Sequence, residues 1–271
     1  MSRISKTIAA LQEQGKKALI PYIVAGDPSV PLTVSLMHAL VANGADIIEL
    51  GMPFSDPSSD GAVIQLGAER ALRAGTTLSD VFAIVKEFRE QDTLTPIVLM
   101  GYLNPIEYMG YEEFATQIEK AGVDGLLIVD LPAYECEELF AAVRPKGIDT
   151  IFLVAPTTSD ARLESICSNC TGYLYYVSLK GVTGAAISDS KAIEEKIALL
   201  RHITPLPIVI GFGIKDTESA LKMAAISDGV IVGSALVDRI SHLAADQSYS
   251  KEALGTTVGL IGEIREAINT L

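Results

Sequence analysis

Tryptophan is absent from this chain of 271 residues, and histidine and cysteine occur only three times each. Three cysteines, odd in number and dispersed at Cys136, Cys167 and Cys170, are compatible with a reducing compartment, the cytosol. Cys167 and Cys170 form a C-x-x-C, but no second pair and no nearby histidine joins it. They therefore read as ordinary thiols at a helix end, and no metal site is expected. His38, His202 and His242 fall in helical stretches or at their ends, which leaves acid–base chemistry to the carboxylates. Also missing is any run of about 18 uncharged apolar residues, the length a membrane span needs. Positive charge is scarce: 21 Lys and Arg against 34 Asp and Glu give a formal net charge of −13. With no basic stripe among aromatics, that field repels polyanions and argues against a nucleic-acid partner. A small phosphate remains admissible, provided that backbone N–H groups hold it.

No linker, composition break or low-complexity tract divides the chain, so residues 1–271 are expected to form one domain. The opening "MSRISKTIAALQEQGKK" lacks the apolar core of a signal peptide and spaces Ile4, Ile8 and Leu11 along one face, which predicts an amphipathic helix covering the scaffold. What the chain has in quantity is short apolar segments: "ALIPYIVAG", "ADIIELGMP", "TPIVLMGYLN", "GLLIVDLPA", "DTIFLVAP", "YLYYVSLKG", "PIVIGFGI" and "GVIVGSALV". Continuous apolar runs, as opposed to alternating ones, are what strands buried on both faces of a parallel sheet require. The segments between them read as helices. Leu32, Leu36 and Leu40 share one face, as do Val81, Ile84, Val85 and Phe88, and Gly44, Gly122 and Gly147 sit where a left-handed helix end is cheap. About eight such units fill the length, which predicts a closed (β/α)8 TIM barrel with an extra N-terminal helix. An open doubly wound sheet is the alternative, but "VAGDPS" stands after the first strand where a G-x-G-x-x-G belongs.

A barrel converts position into a search rule, because catalytic groups sit at strand C-termini and in the loops that follow. Glu49 interrupts the second apolar run, and Asp60 lies in the loop after it, "GMPFSDPSSDG", whose Gly, Pro and Ser residues delay the next helix and allow the loop to fold back. A carboxylate in apolar surroundings has its charged form disfavoured, and a second acid nearby would separate the pair further, suiting one to proton transfer and the other to a fixed charge. The competing reading turns Glu49 outward to a surface cation and makes Asp60 a cap of the helix beginning at Gly61. Asp56 and Asp130 are rivals in position.

"GFGIKD" and "VGSALVD" end the last two strands with glycines before likely helix starts, a pattern that predicts a backbone phosphate cradle at Gly213, Gly233 and Ser234. The loop "SLKGVTGAAISDS" is too long to be only a turn and reads as a lid, from which Gly184 can add a phosphate contact and Thr183 can reach the acids. Tyr22, Met100, Tyr175 and Phe212 fall near strand ends and can line an apolar pocket for a flat aromatic substrate, though core packing explains each one singly as well.

"IELGMPFSDPSSDGAVIQ", with "PYIVAGDP", "GVTGA", "GFGI" and "VGSALV" in that order, resembles the tryptophan synthase alpha subunit family over essentially the whole chain. The "ELG-x-PFSDP-x-x-DG" stretch is the specific part. The glycine motifs alone are shared with many phosphate-binding barrels. The resemblance implies retro-aldol cleavage of indole-3-glycerol phosphate to indole and glyceraldehyde 3-phosphate. In that pattern Glu49 is the acid/base serving indole C3 and the glycerol hydroxyl, and Asp60 stabilises charge at the indole nitrogen. Gly184, Gly213, Gly233 and Ser234 match the phosphate cradle, Thr183 the lid threonine, and Tyr175 and Phe212 the indole pocket. The resemblance also implies a beta subunit that carries pyridoxal phosphate and receives indole through a channel in an α2β2 complex, with contacts around Pro53, Asp56, Asn104 and Pro132. No cofactor is expected in this chain. Departures from the family pattern are Ser58 and Ser59 for Leu-Ala, Ala62 for Pro, Leu179-Lys180 for Arg-Ser and Tyr22 for Phe. Rival readings are a stand-alone indole-3-glycerol phosphate lyase, a catalytically silent barrel acting as an allosteric subunit, and a phosphosugar isomerase, for which "IELGMPFSDP" has no evident purpose.

Overall fold

In the computed structural model, which describes residues 1–177, 190–211, 213–243 and 250–271, the expected apolar runs are parallel strands of one sheet. The segments are β1 (Ala18–Val24), β2 (Ile48–Gly51), β3 (Ile97–Gly101), β4 (Gly125–Ile128), β5 (Asp149–Thr150), β6 (Phe152–Val154), β7 (Leu174–Val177), β8 (Ile208–Gly211) and β9 (Gly229–Val232). Their spatial order is β5-β4-β3-β2-β1-β9-β8-β7-β6, so β5 and β6 are the two ends of the sheet. Only Ile151 separates these ends in the chain. Residues 149 and 150 pair with β4, whereas 152 to 154 pair with β7. The single run "DTIFLVAP" is thus shared between two neighbours, and by switching partner at Ile151 it closes the barrel.

Closure gives every strand an inside and an outside. Ile20, Tyr22 and Val24 of β1, with Val98, Leu127, Ile151, Tyr173, Tyr175, Val209 and Ile231, form the inner core. Leu19, Ile23, Ile48, Leu50, Leu99, Leu126, Ile208 and Ile210 face outward and pack under the helices. Both faces are dry, which is why the strands show no alternation of apolar and polar residues.

Helix α1 (Arg3–Glu13) begins at Ser2, whose side chain accepts from the Ser5 N–H. It lays the fully buried Ile4 and Ile8 into the inner core. Ile4, Ile151 and Val98 crowd the space over Gly125 at the start of β4, where an added methyl group would collide with all three, so the helix plugs the floor of the barrel. Burying each of those isoleucines contributes about 2 kcal/mol. Arg3 reinforces the plug with a 2.7 Å ion pair to Asp124, which also binds Arg89 at 2.7 Å.

Around the barrel run α2 (Val30–Ala42), α3 (Ala62–Arg73), α4 (Leu78–Arg89), α5 (Leu103–Met109), α6 (Tyr111–Ala121), α7 (Glu137–Val143), α8 (Asp160–Asn169), α9 (Ser190–Ile203), α10 (Thr217–Ile226), α11 (Ser234–Ile240) and α12 (Lys251–Ile268). Thr77 and Asp80 make a reciprocal capping box at α4, and Asp216 and Ser219 make one at α10. Gly122 ends α6 in the left-handed region with φ 88°, which returns the chain promptly to β4.

Candidate active site

The parity of β2 decides where its acid points. Ile48 and Leu50 lie in the outer core and Ile47 in the inner one, so Glu49 faces into the barrel, where it is fully buried. Its Oε1 accepts a 2.6 Å hydrogen bond from the Tyr173 hydroxyl, and its Oε2 has no hydrogen-bond partner among the described residues. Burial raises the Glu49 carboxyl from 4.5 to about 7, against the opposing pull of the Tyr173 bond. The outward-facing reading of Glu49 therefore fails.

Asp60 is held by a different tyrosine. Tyr102, at the N-cap of α5, donates its hydroxyl to Asp60 Oδ2 at 3.1 Å and accepts the Ser59 N–H at 2.9 Å. Its ring also packs on Phe54, with centroids 5.3 Å apart, so one side chain clamps the β2–α3 loop at three points. Because Ser59 is held through its backbone, a serine serves there as well as any other residue. Gly61 is the N-cap of α3 and makes no side-chain cap bond, so the competing reading of Asp60 as a helix cap is not what the loop does. Burial raises the Asp60 carboxyl and the Tyr102 bond lowers it. Burial is the leading cause of the upward shift for both acids.

Two further phenols tie the acids to one place. The Tyr22 and Tyr175 hydroxyls are pushed well above their ordinary range by burial first and then by the negative charges of both Glu49 and Asp60. Tyr22 is the register partner of Glu49 across β1 and β2. Its ring leans over Gly51, where an added methyl group would collide with the hydroxyl, and Tyr175 leans over Gly211 in the same way. These glycines at the ends of β2 and β8 are therefore the space in which the rings lie. Met100 and Leu127 complete the inward apolar surface from β3 and β4.

Gly213 follows β8 with φ 76°, and Gly233 is the N-cap of α11, of which Ser234 is the first residue. A methyl group at Gly233 would meet no described residue nearer than Tyr22 Cβ at 3.8 Å, so that among the described residues the backbone there is open to a ligand. Thr183, Gly184, Leu179, Lys180 and Phe212 lie outside the described residues.

Of the rivals, Asp130 accepts the Leu103 N–H at 2.9 Å and so caps α5, while Asp56 is exposed in the loop beside Ser55. Burial raises the Cys170 thiol to about 12, and it donates to the Tyr173 carbonyl at 3.1 Å, as a structural thiol does. His38 stacks on Phe88 at 4.7 Å in the helix layer. Tyr173, Tyr102 and Leu127 were not singled out from the sequence. For Tyr173 a signal existed: in "TGYLYYV" it shares parity with Tyr175, so placing one inside places both.

Fold and mouth together define a (β/α)8-barrel enzyme with one buried acid in a strand, Glu49, and one half-buried acid in the loop that follows it, Asp60. The family model described as tryptophan synthase alpha chain matches residues 8–267. The tryptophan synthase alpha chain of Thioalkalivibrio sulfidiphilus is 54% identical over 269 residues, 99% of this chain and 100% of that one. That of Marinobacter nauticus is 54% identical over 271 residues, 100% and 99% of the two chains. The solved structure of tryptophan synthase subunit alpha from Legionella pneumophila str. Paris superposes with a TM-score of 0.91 at 42% identity, covering all of both chains. This chain belongs to the tryptophan synthase alpha chain family.

Proposed function

We propose that Glu49 and Asp60 carry, in this chain, the reaction of the tryptophan synthase alpha family: cleavage of indole-3-glycerol phosphate to indole and D-glyceraldehyde 3-phosphate in tryptophan biosynthesis. The observation that carries the assignment is a fully buried Glu49 with one oxygen held by Tyr173 and the other uncommitted. Breaking the bond between indole C3 and the glycerol chain requires a proton delivered to C3 and another withdrawn from the adjacent hydroxyl. As that hydroxyl becomes the aldehyde carbonyl, the electrons of the broken bond return to the indole ring. A carboxyl titrating near 7 is poised to be acid in the first transfer and base in the second. Asp60, fixed by Tyr102, supplies the charge that stabilises the cationic indole nitrogen formed when C3 is protonated.

Gly213, Gly233 and Ser234 hold the phosphate through backbone N–H groups, with Gly184 as a fourth member, and Thr183 belongs to the lid. Tyr22, Met100, Tyr175 and Phe212 line the indole pocket. On this reading the partner is a beta subunit in an α2β2 complex, which holds pyridoxal phosphate and takes up the indole in the cytoplasm. It docks on the strand-end face at Pro53, Asp56, Asn104 and Pro132. The exposure of Tyr108 and Tyr134, 94% and 76%, in the segments after β3 and β4 supports an interface there.

The test is indole release from indole-3-glycerol phosphate. Glu49→Gln keeps the shape of the side chain and removes its proton, so turnover should fall at least about a hundredfold while phosphate-ligand binding stays intact. Near-normal turnover in that variant would refute the assignment.

A further inference from the structure

Tyr22 is a buried phenol with no hydrogen bond to any described residue, at the centre of the mouth. Tyr173 gives its hydroxyl to Glu49 and Tyr102 gives its own to Asp60, whereas those of Tyr22 and Tyr175 make no hydrogen bond to a described residue, and of these two it is the Tyr22 ring that borders Gly233. Its ring spans a definite interval. At one end Cβ and Cδ1 lie 3.8 and 3.9 Å from the methyl position of Gly233, beside the phosphate cradle. At the other end the hydroxyl lies over Gly51, one inward position beyond Glu49 on β2. Gly51 exists in the form that this hydroxyl requires, since any side chain there would occupy its place.

A ligand with its phosphate at Gly233 and its reacting carbon at Glu49 must run its connecting chain along this ring. In the substrate assigned above, that connection is a three-carbon chain bearing hydroxyl groups. We propose that the Tyr22 hydroxyl is a specificity-determining ligand of a hydroxyl on that chain, selecting the hydroxylated substrate over chains that lack it. The inference rests on the proposed substrate of the site. The phenol remains protonated at all working pH values, because burial and the two neighbouring carboxylates hold its ionisation far out of reach, so it is always a donor as well as an acceptor.

The experiment compares the wild-type chain with Tyr22→Phe, using indole-3-glycerol phosphate and the analogue in which both chain hydroxyls are replaced by hydrogen. The variant should lose roughly fivefold to tenfold in kcat/KM for the substrate. Its Kd for the deoxy analogue should stay within about twofold of wild type, which also establishes that the pocket is folded. An unchanged kcat/KM would overturn the inference, and so would an equal loss for both ligands, which is the mark of a packing role only. If the wild-type chain itself releases no indole, the assigned reaction falls and this inference with it. Normal wild-type cleavage with an unaffected variant overturns this inference alone.

Discussion

At the scale of the residue, the site is a set of carboxyls and phenols that differ in what they are bonded to. Glu49 is the extreme case, because folding removes it entirely from water and the described residues supply only one donor. Its folded value of about 7 lies above the unfolded 4.5, so the native state binds more protons over that interval. Stability must therefore fall as pH rises from the unfolded value through the folded one, by roughly 3 kcal/mol in all. Glu49→Gln cannot ionise and escapes that loss. Urea unfolding should show the variant gaining on wild type by roughly 3 kcal/mol between pH 4 and pH 8. A pH-independent difference between the two would show that Glu49 is not a strained acid. The acid itself was legible in the sequence, since an ionisable residue inside a dry strand demands a reason. Its partner was harder to see, because Tyr173 is 124 residues away and no local pattern links the two.

At the scale of the element, the βα rhythm was visible because both strand faces are buried, and Gly44, Gly122 and Gly147 do end their helices with positive φ. Two features were hidden. The partner switch at Ile151 is a property of closure and leaves no mark on composition, and between β3 and β4 the chain forms both α5 and α6, broken at Gly110 with φ 88°. The element that matters most to the site is α3, which begins directly after the Asp60 loop. Gly67 lets α3 approach Val24 and Val237 closely, and Arg70 binds Asp27 in a bidentate pair at 2.7 and 2.8 Å. Asp27 is 1% exposed, and burial raises its carboxyl despite the guanidinium beside it. Arg70→Ala would leave that acid buried and alone, costing about 3 kcal/mol, which chemical denaturation at pH 7 would register. A loss below about 1 kcal/mol would mean that apolar packing alone seats α3.

At the scale of the whole molecule, the barrel has two unlike ends. α1 closes the floor, where Arg3 and Arg89 converge on Asp124, while the segments that follow β2, β3 and β4 at the mouth expose Asp56, Asn104, Tyr108 and Tyr134. Large aromatics left in water serve no purpose in an isolated barrel, and they stand on the side from which indole would have to leave. On the proposed beta-subunit reading these tyrosines anchor the complex, and truncating or charging a central anchor typically raises Kd by about thirtyfold or more. Tyr108→Asp and Tyr134→Asp should each weaken beta-subunit binding on that scale in titration calorimetry, with the unfolding free energy of the isolated chain changed by less than about 0.5 kcal/mol because both side chains are already exposed. Leu94, 80% exposed just before β3 at the floor, provides the control, and Leu94→Asp should leave binding untouched. If Leu94→Asp weakens the complex and the two tyrosine variants do not, the partner sits on the floor. A partner docked there would have no direct contact with the Asp60 loop, because the Tyr102 clamp that holds it lies at the opposite end.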